Sequence, residues 1–173
     1  EPENLVLIDE TGILLGENRP YGCSEVGTIV REMKPFYRGE KVTLVGAMTQ
    51  DKVLALMTLN GSLDTAAFKV FIDPFLVPKL WPGAVVSMDN LAIHKRESIV
   101  KKIEAVGASV IYLSPYSPDF NPIEMWGSQL KSFIMDFSPT TPAMIDTLLA
   151  VTLDLINPKH LRNWFAHCCY CTS

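Results

Sequence analysis

Three acidic residues stand where a fold can bring carboxylates together: Asp9 after the apolar run Leu5-Val6-Leu7-Ile8, Asp89 after Ala84-Val85-Val86-Ser87-Met88, and Glu124 after a proline-punctuated loop. Adjacent strand ends in an α/β sheet form a ligand crevice. Three carboxylates meeting there repel one another and require a compensating cation. An oxygen-only donor set selects Mg²⁺, with Mn²⁺ as its substitute. Two such ions, about 3.5–4 Å apart, stabilise the attacking and leaving oxygens at a phosphorus centre. Phosphoryl transfer suits this set because its catalysis is mostly positioning and charge stabilisation. Other chemistries lack their motifs. There is no Gly-x-Ser-x-Gly elbow and no dinucleotide fingerprint, and the stretch from Gly22 to Thr28 lacks the lysine of a phosphate loop.

Each acid has a rival reading. Glu10 adjoins Asp9 and offers the same chemistry. Asp89-Asn90 can be a plain polar strand terminus. Asp119 competes for the third position. Asn121-Pro122-Ile123-Glu124 also reads as a capping box, with Glu124 turned back to the helix start rather than outward.

The elements that must position these acids read as follows. Leu5–Ile8 is a buried strand that stops at the turn-like Asp9-Glu10-Thr11-Gly12, with a short second strand at Ile13–Leu15. The stretch from Glu17 to Glu40 shows no clear periodicity. Lys41–Thr49 and Val53–Leu59 are strands joined by Gln50-Asp51-Lys52. Asn60-Gly61-Ser62 matches a glycosylation sequon but reads as a turn. Asp64 caps a helix through Phe68, Val70, Phe71 and Phe75. Ala84–Met88 is a strand, Lys95–Val106 an amphipathic helix closed by Gly107, and Ser109–Leu113 a final strand. Helices follow over Pro122–Phe137, Pro142–Ile156 and Pro158–His167. This order predicts an α/β fold with a mixed five-stranded sheet flanked by helices.

Composition bounds the rest. The chain has 173 residues, 48% hydrophobic and 20% charged, as expected of one globular domain able to bury its own core. No apolar run reaches the ~18 residues of a membrane span. The net charge of −4 argues against a strongly basic nucleic-acid binder, so DNA affinity is expected to reside partly elsewhere. The start lacks a methionine and a signal peptide, which suggests a missing upstream segment. Cys23, Cys168, Cys169 and Cys171 read as reduced thiols in a cytoplasmic protein. A zinc site drawn from the last three with His160 and His167 is disfavoured by ligand spacing.

Three segments carry a resemblance: Leu7-Ile8-Asp9-Glu10-Thr11-Gly12, Met88-Asp89-Asn90-Leu91-Ala92-Ile93-His94-Lys95, and Ser114-Pro115-Tyr116-Ser117-Pro118-Asp119-Phe120-Asn121-Pro122-Ile123-Glu124. In order, and with 34 residues between Asp89 and Glu124, they resemble the DDE transposases of bacterial insertion sequences related to mariner elements. The resemblance covers roughly residues 5 to 135. It implies a ribonuclease H-like fold, with Asp9 and Asp89 on neighbouring strands and Glu124 on a following helix. These three would be both the catalytic residues and the ligands of two Mg²⁺ ions. It also implies DNA cleavage followed by strand transfer, double-stranded DNA partners (element ends and target), and a homodimer on paired ends. An upstream helix-turn-helix region that reads the terminal repeats would be absent from this chain. Asn90, His94 and Asn121 are candidate supporting residues, and Lys95, Arg96 and Lys131 are candidate DNA contacts. Trp126 is expected in the core. A different ribonuclease H-like nuclease, or a non-catalytic remnant that dimerises or represses, is the alternative.

Overall fold

The computed structural model describes residues 2–16, 23–29, 31, 39–113, 121–168 and 170. Five strands form one sheet: β1 (Leu5–Leu14), β2 (Lys41–Met48), β3 (Val53–Asn60), β4 (Val85–Met88) and β5 (Ser109–Tyr112), in the order β3-β2-β1-β4-β5. β1, β2 and β3 pair antiparallel, whereas β4 pairs parallel with both β1 and β5. The parallel pairs need crossovers, and the intervening segments supply helices. These are α1 (Thr65–Val70), continued by a π-helical stretch and a 3₁₀ turn to Lys79, and α2 (Glu97–Glu104). Three C-terminal helices complete the chain: α3 (Pro122–Met135), α4 (Pro142–Leu155) and α5 (Pro158–His167).

Local chemistry explains these boundaries. The Asp64 carboxylate accepts from the Ala67 amide and starts α1. Each of α3, α4 and α5 opens on a proline, whose missing N–H costs nothing in a first turn. Gly107, at φ +80°, ends the turn after α2 in the left-handed region that favours glycine. The helix expected from Lys95 begins two residues later, with Arg96 as its N-cap in extended backbone.

Two corrections concern β1. The expected stop at Asp9 and the separate strand at Ile13–Leu15 do not exist. β1 is one strand of ten residues, and Asp9 lies in its middle. The cause is β2, which pairs with every residue from Leu7 to Leu14 and carries the polar Asp9–Gly12 stretch along. A local reading of turn propensity has no access to a partner more than thirty residues away.

The sheet has two covered faces, and side chains alternate between them. Leu5, Leu7, Ile13, Leu44 and Met48 pack beneath α3, α4 and α5 with Ile123, Trp126, Leu130 and Phe165. Val6, Ile8, Val45, Ala47 and Val86 pack on the other face, with Phe68, Phe71, Ile99 and Ile103 from α1, its extension and α2. Among the described residues, no helix is long and apolar enough to cross a membrane.

Candidate active site

The site begins where β1 and β4 stop pairing. Their last partners are Leu7 and Ser87. Two residues further along each chain stand Asp9 and Asp89, which therefore sit at the same level where the two strands part. Alternation along β1 gives Asp9 the face of Leu5 and Leu7, the one covered by α3. Glu124 lies in the first turn of α3 and is exposed, while Ile123 and Trp126 beside it are buried against the sheet.

Electrostatics shows that the acids share one field. The Asp9 carboxyl is pushed from its ordinary 3.8 up to about 7. The main cause is burial, which strips water from the charged form; the charges of Glu124, Asp89 and Glu10 push the same way, and a backbone hydrogen bond at Glu10 opposes them. The structure thus gathers residues from β1, the end of β4 and α3 around Asp9.

Asp89 has a dedicated partner in His94. The His94 ring is buried, and its Nδ1 ion-pairs with Asp89 Oδ1. Nδ1 also lies 3.4 Å from the Asp89 carbonyl oxygen, and the Leu91 amide donates to Asp89 Oδ1 at 3.4 Å. Phe68 holds the other side of the ring at 4.5 Å between centroids, and the Tyr112 hydroxyl donates to the His94 carbonyl at 3.2 Å. His94 Nε2 has no hydrogen-bond partner among the described residues.

The remaining candidates divide. Asn121 is the buried N-cap of α3, and its carbonyl oxygen accepts from the Glu124 amide at 3.0 Å. Its side chain makes no capping bond and leaves Oδ1 without a partner, so the capping-box alternative lacks its N-cap half. Asn90, Lys95, Arg96 and Lys131 are exposed. Lys95 Nζ sits 5.9 Å from the centre of the Tyr112 ring. Alternation places Glu10 on the opposite face from Asp9, towards α1 and α2. There Glu10 Oε2 is buried without a partner among the described residues; desolvation and the charge of Asp89 raise its pKa, while the charges of His94 and Lys41 lower it. Asp119 and the loop from Ser114 to Phe120 lie outside the described residues, as do Cys169 and Cys171 of the weighed zinc site. Cys168 is buried.

Two features were missed in the sequence. Gly46 is the β2 partner of Asp9, and Trp126 packs directly over it. A glycine inside a strand pattern is itself a signal of close approach by another group, and it was there to be read. Trp126 is 4% exposed, as its core assignment expects. Together with Asp9, Thr11, Ile123 and Gly127, these two residues line a shallow cleft beside the first acid.

A divalent ion fits this set in kind. The donors are oxygens, the charges of Glu124 and Asp89 push against ionisation of Asp9, and a cation would offset that repulsion. Among the described residues, no three His, Cys, Asp or Glu side chains are already closed into a metal cage.

Residues 4–142 match the family model described as DDE superfamily endonuclease, a stretch that holds all five strands and all three acids. No curated protein matches the chain. Among solved structures, the fold is similar to a pre-cleavage Mos1 transpososome, with TM-score 0.76 and 14% identity over 95% of this chain and 52% of that one. It is similar to the Mos1 mariner paired end complex with Mn, with TM-score 0.74 and 15% identity over 96% and 52%. The catalytic domain of Mos1 mariner transposase gives TM-score 0.69 and 13% identity over 95% and 76%. The chain thus spans about half the length of the Mos1 chains in those larger complexes. The strand order and this likeness establish a ribonuclease H-like fold. By the extent of its match, this chain belongs to the DDE superfamily endonucleases.

Proposed function

We propose that this chain is the catalytic domain of a mariner-related transposase of the bacterial insertion-sequence type, with Asp9, Asp89 and Glu124 as its catalytic, metal-holding triad. The observation that carries the reading is the half-buried carboxyl of Asp9, in the field of Glu124 and Asp89, two residues past the last pairing of β1 with β4. Asp9, Asp89 and Glu124 would hold the Mg²⁺ or Mn²⁺ ions through their carboxylate oxygens. Bound there, the ions supply Lewis-acid charge at the scissile phosphate.

The chain's own residues do the positioning. Partial burial of Asp9 makes its bare charge costly, a cost that a bound cation would offset. His94 fixes the orientation of Asp89, as outer partners of metal ligands do. Asn121, at the start of α3, supports the turn that carries Glu124. Lys95, Arg96 and Lys131 are exposed and available to phosphates, and Asn90 continues the segment beside Asp89.

The reaction needs no protein nucleophile. Water cleaves a phosphodiester at the element end and frees a 3′-hydroxyl. That hydroxyl attacks a target phosphodiester in line, forms the new bond to phosphorus and displaces the target's own 3′-oxygen. The solved Mos1 complexes include a strand transfer complex and a paired-end complex with the left transposon end. By analogy, this chain acts on double-stranded DNA as a homodimer.

Incubation with a labelled oligonucleotide bearing a 3′-hydroxyl end and a supercoiled target plasmid, with Mn²⁺, tests this. Joined product, lost in Asp89→Asn, is expected. Cleavage of an RNA–DNA hybrid without any joining would replace the reading with a ribonuclease, and absence of metal-dependent nicking would replace it with a non-catalytic module.

A further inference from the structure

We propose that Gly46 and Trp126 form the contact that sets Glu124 against Asp9, and so act as positioning residues for the third acid. This rests on the metal-holding triad proposed above. Gly46 is the cross-strand partner of Asp9 and shares its face of the sheet. A Cβ built on Gly46 would lie 2.6 Å from Trp126 Cζ3 and 3.2 Å from Cη2, closer than real Cβ contacts allow. The backbone of Gly46 is not in the left-handed region, so conformation does not require glycine here. What the position provides is the missing side chain, and the indole fills that space.

The ring belongs to the same rigid helix as Glu124, two residues further on. At a rise of about 1.5 Å per residue, the two side chains are tied within roughly half a turn of helix. The indole N–H has no hydrogen-bond partner among the described residues, so shape alone seats the ring. The neighbouring contacts are Leu56, 3.6 Å from the built Cβ on the β3 side, and the Ile123 and Leu130 flanks of α3. An added methyl at residue 46 forces the ring edge of Trp126, 2.6 Å away, to give, and a push on the ring is passed to the helix that carries Glu124. Metal-ligand distances tolerate only about 0.2 Å. The close approach of α3 to β1 and β2 at this point is therefore part of the ligand geometry of Glu124.

A double-mutant cycle read by Mn²⁺ binding tests this on the 173-residue chain, with electron paramagnetic resonance counting free Mn²⁺. Gly46→Ala is expected to weaken Mn²⁺ binding by about 10- to 100-fold, the range for lost outer support of a ligand. In a Glu124→Gln background the same substitution is expected to change it by less than about 2-fold, because the side chain it positions no longer ligates. Trp126→Phe added to Gly46→Ala removes ring atoms from the clash and is expected to recover part of the loss. Equal losses with and without Glu124, or full affinity in a folded Gly46→Ala protein, would overturn the proposal. Should Gly46→Ala not fold, Trp126→Phe alone thins the contact without a clash: a Glu124-dependent loss supports the proposal, and unchanged affinity overturns it. If Glu124→Gln itself leaves Mn²⁺ binding intact, the metal reading of Glu124 fails, and the positioning role with it.

Discussion

Leu5 to Ile8 and Asp9 to Leu14 belong to one strand, yet their surroundings differ. The first four residues are at most 7% exposed, and β4 runs beside Leu5, Val6 and Leu7. From Leu7 onward β2 is a partner, and beyond Leu7 the ladder to β4 has ended. In the first half both side-chain faces go to the core, and four apolar residues fill them. In the second half the β4 ladder has ended, and Asp9 and Glu10 fall on opposite faces, Asp9 beside the shallow cleft it shares with Gly46 and Trp126. The same backbone thus serves as core where two parallel strands pair and as a platform for chemistry where they part. The first acid stands where β1 parts from β4, not where β1 ends.

The comparison is broken most directly by exchanging what each half tolerates. Leu7→Ala removes a fully buried side chain and is expected to cost about 2–5 kcal/mol of stability, seen as a lower denaturation midpoint. Asp9→Asn is expected to lower Mn²⁺-dependent nicking by about 10²–10³-fold or more while leaving the metal-free protein at least as stable. A strongly destabilised Asp9→Asn protein would mean that both halves are structural.

His94→Gln probes the other side of the crevice. It removes the ring that pairs with Asp89 while keeping a polar side chain of moderate size. A loss of about 10- to 100-fold in Mn²⁺ affinity is expected, with the fold retained. Unchanged affinity would reduce His94 to packing against Phe68.

A smaller effect lies in pH. In the metal-free protein Asp9 is held at about 7, against an ordinary 3.8, so the folded state binds its proton more tightly than the unfolded chain. The resulting stability is fully present below the ordinary value and is lost as pH rises through 7. The melting temperature of the wild type minus that of Asp9→Asn is therefore expected to fall between pH 4 and pH 7 and then level off. Saturating Mn²⁺ should flatten or reverse that fall. A difference constant with pH would place Asp9 in open water.

The smallest effect concerns the exposed cations. Lys95→Ala or Arg96→Ala is expected to reduce the slope of log DNA affinity against log salt by about 1 each, uniformly across DNA sequences. No change would leave both as ordinary solvated side chains.

Much of this arrangement was legible in the sequence because its signals are local. The β2–β3 hairpin, β4, β5 and the three proline-started helices follow from periodicity and cap residues, and the Asp64 cap follows from its position. The three acids were grouped through the resemblance that their segments carry, and the charges of Asp89 and Glu124 both act on Asp9. What escaped reading depends on partners distant in sequence. The run of β1 through Asp9–Gly12 is imposed by β2, and the seat of Trp126 on Gly46 joins two elements about 80 residues apart. The side on which Glu10 falls also required the true strand, since a turn at Asp9 would have left both acids free to point either way.

The central claim is that Asp9, Asp89 and Glu124 hold divalent ions in common. A crystal of the 173-residue chain soaked in Mn²⁺, measured at a wavelength where manganese scatters anomalously, tests it most directly. The account predicts anomalous peaks in the crevice between β1 and β4, bounded by Asp9, Asp89 and the first turn of α3. Manganese bound only elsewhere, or held at Asp89 with Glu124 turned away, would contradict it.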